Sequence, residues 1–304
     1  MTALRPLSER QFSADEPVKV SICTITFNHG PYLRQTLDGF LAQRCDFRVE
    51  IVVNDDASTD ETGDILREYA GRHPDIVRPI IQPENLFSKG VNPYTCFVFP
   101  NATGEYLALC DGDDYWDDPD KLAMQAAYLD AHPDVSVTFG RVHAVSEDGI
   151  EETYKNGLER DIPAAELKNG PPINTPTAMF RHVFRDGPAQ FLRYAPMSDM
   201  TLWSMLGDHG RGVFLPDLKP AFYRQHSGGI FSKKGLQTQL FMGTITLLNI
   251  AAYHAMKEDH RASRAALRRV IGQIVMLNGG TATVKEATRK ALSLWSKRLR
   301  KKGP

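Results

Sequence analysis

Residues 107–122 read LALCDGDDYWDDPDKL. An apolar run carries the chain directly into Asp111, Asp113, Asp114, Asp117, Asp118 and Asp120. Carboxylates this dense repel one another, and they are costly to bring near a core without partners. The stretch has the form of a buried strand that delivers acids to its own end. Oxygen-only clusters select hard divalent cations, Mg2+ or Mn2+. Asp111-Gly112-Asp113 suits that role, because Gly112 lets backbone and ligand approach closely. Asp117, Asp118 and Asp120 have a second explanation, since acids favour helix N-termini. Asp118-Pro119 reads as an N-cap and first helical position, with Leu122, Ala126 and Leu129 continuing the helix.

Working outward, Val18–Thr26 (VKVSICTIT) is rich in β-branched residues and runs into the turn Asn28-His29-Gly30-Pro31, as a strand and its turn should. Leu33, Leu37, Phe40 and Leu41 then follow helical spacing. Glu50–Asn54 (EIVVN) is a second short strand. After it, Ser58 and Glu61 read as a capping box, with Gly71 ending the helix. Ile76–Gln82 and Val135–Phe139 are further strands. Strands and helices alternating in this way indicate an α/β sheet, mostly parallel. In open sheets of that kind ligands bind beyond the carboxyl ends of the strands. The acids Asp55-Asp56 and Asp111–Asp114 both follow strands directly, so they are expected on one edge. Asp55 and Asp56 either cap the next helix or meet the base and ribose of a nucleotide.

The chain has 304 residues and a net charge of −1, but its charge is uneven. Between Arg261 and Pro304 stand 12 Lys/Arg and a single acid, Glu286, which leaves 24 basic and 36 acidic residues in the rest. An acidic body with a basic tail has two readings: a solvated helical face, or docking on an anionic membrane surface. Nucleic acid is not an expected partner, since no basic platform interleaved with aromatics appears in the body. Gly235–Met256 is uncharged and long enough to span a bilayer, yet its Gln, Thr, Asn and His content points to a packed or surface helix. Helices are expected over 236–257, 261–277 and 282–300, the last with a Thr283–Glu286 capping box. The four cysteines lack CxxC spacing, and Cys23 and Cys110 sit in apolar runs, so buried thiols in a reducing, cytoplasmic setting are expected. Residues 1–16 read as a disordered lead-in, 17–232 as the catalytic α/β domain and 233–304 as a helical, basic appendage.

ICTITFNHGPYLRQTLDGFLAQ, EIVVNDDASTDET and TGEYLALCDGDDYWDDPDKL resemble, in order and spacing, the opening strand, nucleotide-binding turn and DxD strand of inverting glycosyltransferase family 2. The resemblance covers residues 18–130. It implies a GT-A fold: a nucleotide-binding domain with a mostly parallel mixed sheet, here followed by a C-terminal helical region. It also implies transfer of a sugar from a nucleotide-diphosphate donor to a hydroxyl of a saccharide or lipid-linked acceptor, with Mn2+ or Mg2+ as cofactor, in surface polysaccharide or glycoconjugate assembly.

The same resemblance suggests roles. Thr24, Thr26 and Asn28 would line the nucleotide pocket, Asp55 and Asp56 would meet base and ribose, and Asp111 with Gly112 would lie near the ribose. Asp113 would ligate the metal, and Lys89 would approach the diphosphate. PMSDMTLWSMLGDHG resembles the family's acceptor-side acid motif, with Ser198-Asp199 where Glu-Asp is common, which makes Asp199 the candidate base. AFYRQHSGGIFS resembles the segment that closes such domains, offering His226 to the metal or diphosphate and Arg224 to a phosphate or an acid. NTPTAMFRHVF offers Asn174 and Thr175 as acceptor contacts, with Trp116 a third. Two rivals stand beside this reading. A nucleotidyltransferase would carry a basic, Gly-rich loop after the first strand, whereas ITFNHGPYL has no basic residue before Arg34 other than His29. A non-catalytic scaffold of the same fold would not need Asp199.

Overall fold

The computed structural model describes residues 4–13, 15–146, 148–151, 157–185, 190–193, 195–226 and 235–277. It divides into two compact units, Met1–Gly229 and Ile230–Pro304. The boundary expected at 232/233 lies outside the described residues.

The strands of the first unit are β1 (Val18–Thr26), β2 (Arg48–Asp55), β3 (Val77–Ile81), β4 (Tyr106–Leu109), β5 (Val135–Phe139), β6 (Val142–Ser146), β7 (Gly149–Glu151), β8 (Met179–Arg181), β9 (Arg211–Phe214) and β10 (Ala221–Arg224). Its main helices are α1 (Gly30–Leu41), α2 (Thr62–Arg72), α3 (Lys121–Ala131) and α4 (Ser198–Leu206). Seven strands form one sheet in the order β3-β2-β1-β4-β8-β5-β9, and β10-β6-β7 form a second. β1 pairs in parallel with both β2 and β4, while β8 is antiparallel to β4 and β5. The sheet is thus mixed and mostly parallel, as the alternating pattern predicts.

Central parallel strands are covered on both faces and read as continuous apolar runs. Val20 and Ile22 of β1, Ile51 and Val53 of β2, and Tyr106 and Ala108 of β4 share one core with Leu33, Leu37 and Phe40 of α1. Ile65 and Leu66 of α2 and Leu122, Ala126 and Leu129 of α3 complete it. Cys23 and Cys110 are buried thiols, as expected.

The lead-in departs from expectation. Leu7 and Phe12 are buried in the core, and the Leu7 amide donates to the Gln43 carbonyl. Two apolar side chains five residues apart are enough to hold this segment down, helped by Arg10, which donates to the Cys45 and Phe47 carbonyls. Two helix starts also shift. The Ser58–Glu61 capping box does not form. Asp60 acts instead, accepting from the amides of Gly30 and Thr62 at 3.0 Å each, so one carboxylate serves the first turns of both α1 and α2. α2 runs one residue beyond Gly71, to Arg72. α3 begins at Lys121 rather than Pro119, and Asp118 accepts from the amides of Asp120 and Lys219.

In the second unit, α5 (Leu236–Met256) and α6 (His260–Leu277) match the expected helices. Asp259 caps α6 by accepting from the Ala262 amide at 3.0 Å. Thr244 donates to Gln273 across the pair at 3.0 Å. No described helix is long and apolar enough to cross a membrane. The helix expected over 282–300 and its Thr283–Glu286 box lie outside the described residues.

One buried charge-bearing group stands apart from the acids. Lys121 is 3 % exposed, lies 4.3 Å over the Trp116 ring and donates to Gln125. Burial pushes its ammonium down to about 7. In the unfolded chain the same group holds its proton to about pH 10.4. Between those values the unfolded state binds more protons, so this residue makes stability rise with pH. Urea unfolding of wild type and Lys121→Met at pH 7.5 and 9.5 should show wild type gaining on the variant by up to about 1.4 kcal/mol per pH unit. A difference independent of pH would mean that Lys121 stays charged in the fold.

Candidate functional site

The register places the acids. Thr26, the last residue of β1, sits opposite Asp55, the last of β2, and Cys23 sits opposite Leu109, the last of β4. The segments that follow, 27–30, 56–61 and 110–118, therefore emerge together at the carboxyl edge. They are sewn to one another. Asn28, with φ of 54°, donates its amide to Ser58 Oγ and accepts from the Thr59 amide, both at 2.8 Å. Ser58 in turn donates to Asp55. Asn28 is exposed but its side-chain oxygen is spent on this tie.

α1 fixes the acid loop. Thr36 Oγ1 donates to the carbonyls of Asp114 (2.6 Å) and Gly112 (3.1 Å). Gln43 accepts from the Leu122 amide at 3.0 Å and donates to the Asp118 carbonyl at 2.6 Å. Gly39 lies so close that a Cβ there would come within 2.5 Å of the Trp116 carbonyl. β10 approaches from the other side. Tyr115 and Phe222 exchange both backbone hydrogen bonds, and the Arg224 amide donates to Asp114 Oδ1 at 2.9 Å. That pairing carries His226 onto Asp113, with Nε2 3.0 Å from Oδ2.

His29, which sequence reasoning did not single out, joins them: its Nε2 lies 3.6 Å from the same Asp113 oxygen. The ligand atoms of His29, Asp113 and His226 all fall within 4.8 Å of one another. The signal was present in the turn after β1, but a histidine in a turn carries no ligand meaning until its partner is in place.

The environment sorts the acids. Burial, then the charge of Asp113, pushes Asp111 up to about 7, with the charge of Asp199 adding to the effect. The Tyr94 hydroxyl donates to Asp111 and opposes this. Tyr94 opens a turn of π-helix, Tyr94–Val98, a form frequent at functional sites. Burial also works against the charge of Asp113, but the His226 hydrogen bond and the two imidazoles hold its carboxyl below the usual range. Asp114 is driven well up by burial and by Asp113 and Asp111. Asp55 is raised by burial, against the hydrogen bonds from Ser58. Burial lowers His29, so its imidazole favours the neutral form.

Other expected residues fall as follows. Thr24 and Thr26 are buried, and neither hydroxyl has a hydrogen-bond partner among the described residues. Gly112 needs its missing side chain: a Cβ would lie 2.8 Å from Thr26 and 3.1 Å from His29 Nδ1. Both oxygens of Asp56 accept backbone amides, from Leu86 and Phe87 at 2.9 Å, which draws the 86–89 turn to this edge. Lys89 on that turn is exposed and paired with Glu84 at 2.6 Å. The Arg224 guanidinium stacks 4.5 Å over Tyr115 and donates to the Asp113 main-chain carbonyl and to the Gln35 side-chain oxygen.

Asp199 stands in the first turn of α4, where burial raises its carboxyl against the amides of Met200 and its own residue. Asn174 and Thr175 begin the short turn before β8. Trp116 is a correction. It is 2 % exposed, packs 4.8 Å from Phe40 and donates to the Pro176 carbonyl, so it braces that turn and is not on offer to an acceptor. Its sequence neighbours made it look like part of the site, but α1 covers its ring.

The chain is 36% identical over 272 residues to Rv1520, an uncharacterized Mycobacterium tuberculosis protein, covering 86% of this chain and 75% of that one. It is 24% identical over 246 residues to WfaP of Escherichia coli, a UDP-Glc:alpha-D-GlcNAc-diphosphoundecaprenol beta-1,3-glucosyltransferase, covering 77% of this chain and 88% of that one. Among solved structures it is similar in fold to TarS of S. aureus in complex with UDP-GlcNAc, at a TM-score of 0.57 and 18% identity over 84% of this chain and 81% of that one. Residues 21–186, which hold the edge from β1 to β8, match Glycosyl transferase family 2, and the chain belongs to that family, with a GT-A fold.

Proposed function

We propose that the chain is an inverting, metal-dependent glycosyltransferase. It moves a sugar from a nucleotide-diphosphate donor to a hydroxyl of a saccharide or lipid-linked saccharide, in surface polysaccharide or glycoconjugate assembly. The observation that carries this reading is the gathering of Asp55, Asp56, Asp111 and Asp113 at one sheet edge, with the charge of Asp199 felt at Asp111. The named substrates of the Escherichia coli relative support a nucleotide-sugar donor and a lipid-linked acceptor.

Asp113 and His226 would hold the divalent ion, Mn2+ or Mg2+, and their donor atoms converge as such a ligand pair must. When bound, the ion screens the acidic body from the diphosphate and stabilises the leaving charge. Asp55 and Asp56 orient the nucleoside, with Asp56 also tying down the 86–89 turn. Thr24 and Thr26 present unspent hydroxyls beneath it. Asp111, held by Tyr94, faces the ribose and sugar. Asp199 takes the acceptor proton as the hydroxyl attacks, so the sugar inverts in one displacement.

The working place we assign is the cytoplasmic face of a membrane. α6 carries exposed Arg264 and Arg268 beside exposed Leu267, Ile271 and Ile274 on one face, a pattern suited to an anionic lipid surface.

Three measurements bear on this reading. Calorimetry with UDP, GDP, CDP and dTDP, with Mn2+ and with EDTA, should find one nucleotide bound only with metal, and not by Asp113→Ala. Binding of none of them sinks the donor assignment. Asp199→Asn should leave donor affinity within about threefold and lower the transfer rate roughly 10²–10⁴-fold. Because burial raises Asp199, the wild-type rate should fall with acidity above the ordinary carboxylate range, and unchanged transfer in Asp199→Asn would move the base elsewhere. Flotation should show salt-sensitive binding to vesicles rich in phosphatidylglycerol, weakened in Arg264→Glu/Arg268→Glu. Equal recovery on neutral vesicles would remove the membrane assignment.

A further inference from the structure

The donor reading above names two protein ligands for the ion, and the inference rests on that reading. We propose that His29 is the third, so that His29, Asp113 and His226 form a two-histidine, one-carboxylate set that holds a divalent transition-metal ion before any nucleotide arrives.

The distances suit this arrangement. Ligand bonds of about 2.1 Å place neighbouring donor atoms roughly 3.0 Å apart in an octahedron and roughly 3.4 Å apart in a tetrahedron. Asp113 Oδ2 lies 3.0 Å from His226 Nε2 and 3.6 Å from His29 Nε2. Both imidazoles aim the same nitrogen at one carboxylate oxygen. Hydrogen bonding alone gives no reason for that, because at 3.6 Å His29 Nε2 is beyond hydrogen-bond reach of the oxygen it faces. His29 Nδ1 has no hydrogen-bond partner among the described residues, and a Cβ at Gly112 would come within 3.1 Å of it. The ring is therefore placed by its turn and by packing.

The three ligands come from three separately anchored segments. His29 sits on the turn pinned by Asn28 to Ser58 and Thr59. Asp113 lies in the loop clamped by Thr36. His226 follows β10, which is paired to Tyr115. Such a set is assembled by the fold and not by the substrate. A lone aspartate needs the diphosphate to complete a useful shell, whereas three protein ligands do not. Imidazole nitrogen also favours Co2+, Zn2+ and Mn2+ over Mg2+, which prefers an oxygen shell.

The test uses the full chain without nucleotide. Loss of the free Mn2+ EPR signal on titration should report one ion per chain, with Co2+ displacing it and Mg2+ weaker by about tenfold or more. Pulsed EPR of bound Mn2+ should show two imidazole nitrogens in wild type. His29→Gln should show one, with Mn2+ affinity reduced about tenfold or more. The nitrogen count in wild type stands even if the variant folds poorly. One imidazole in wild type, or undiminished Mn2+ affinity in a folded His29→Gln, overturns the proposal. Metal-dependent nucleotide binding with no Mn2+ retained in its absence also overturns it and leaves the donor reading intact. A two-imidazole Mn2+ site in a chain that binds no nucleotide upholds the metal set and removes the donor reading instead.

Discussion

The parallel pairing of β1 with both β2 and β4 is the constraint on which the site depends. Parallel neighbours end at the same edge, so whatever follows each strand is delivered to one place. Here that is the turn with His29, the turn with Asp55 and Asp56, and the loop with Asp111 and Asp113. A register slip would separate residues that are far apart in sequence. The register is guarded at the other end of the strands, where Glu50 is buried and accepts from Ser21, from Thr103 and from Arg78. Removing one member of such a network leaves buried polar groups unpaired, at a cost of about 3 kcal/mol or more.

Repulsion among the acids is relieved in three different ways. Asp56, Asp60 and Asp118 are spent on backbone amides, which stabilise a carboxylate without a counter-charge. Asp111 and Asp114 are pushed by burial toward their neutral forms. Asp113 keeps its charge, because imidazoles and not carboxylates surround its outer oxygen. The acidic edge is thus less negative than its composition suggests. Within the 111–114 loop the charge is concentrated at Asp113, the place where an ion can use it.

Much of this was legible in the sequence. β-branched runs ending in acids gave the strands, their shared edge and the acids delivered to it, because strand periodicity and chain order are local properties. Helix starts were less legible. Asp60, Ser58 and Glu61 are all competent caps, and the choice of Asp60 depends on the Gly30 amide, thirty residues away. The lead-in was misjudged because two isolated apolar residues look the same whether or not a groove awaits them. Trp116 looked available because nothing in its own segment reveals that α1 lies over it. His29 was quoted in the turn motif but given no role, since a metal ligand is defined by convergence, and convergence with His226 spans most of the catalytic unit.

The mixture of ligand types has a consequence for binding. A divalent ion held by three carboxylates would leave its immediate site with a net charge of −1, which repels a diphosphate. Held by one carboxylate and two neutral imidazoles, the same ion leaves +1. Burial keeps His29 in the neutral form that this balance needs. Histidine thereby supplies coordination without adding negative charge, in a body that already carries an excess of acids. The neutral forms favoured at Asp111 and Asp114 work in the same direction, since each removes a charge that would otherwise offset the ion. An edge built from aspartates can then attract an anion: the fold pushes Asp111 and Asp114 toward their neutral forms and uses imidazole where another carboxylate would have reversed the sign.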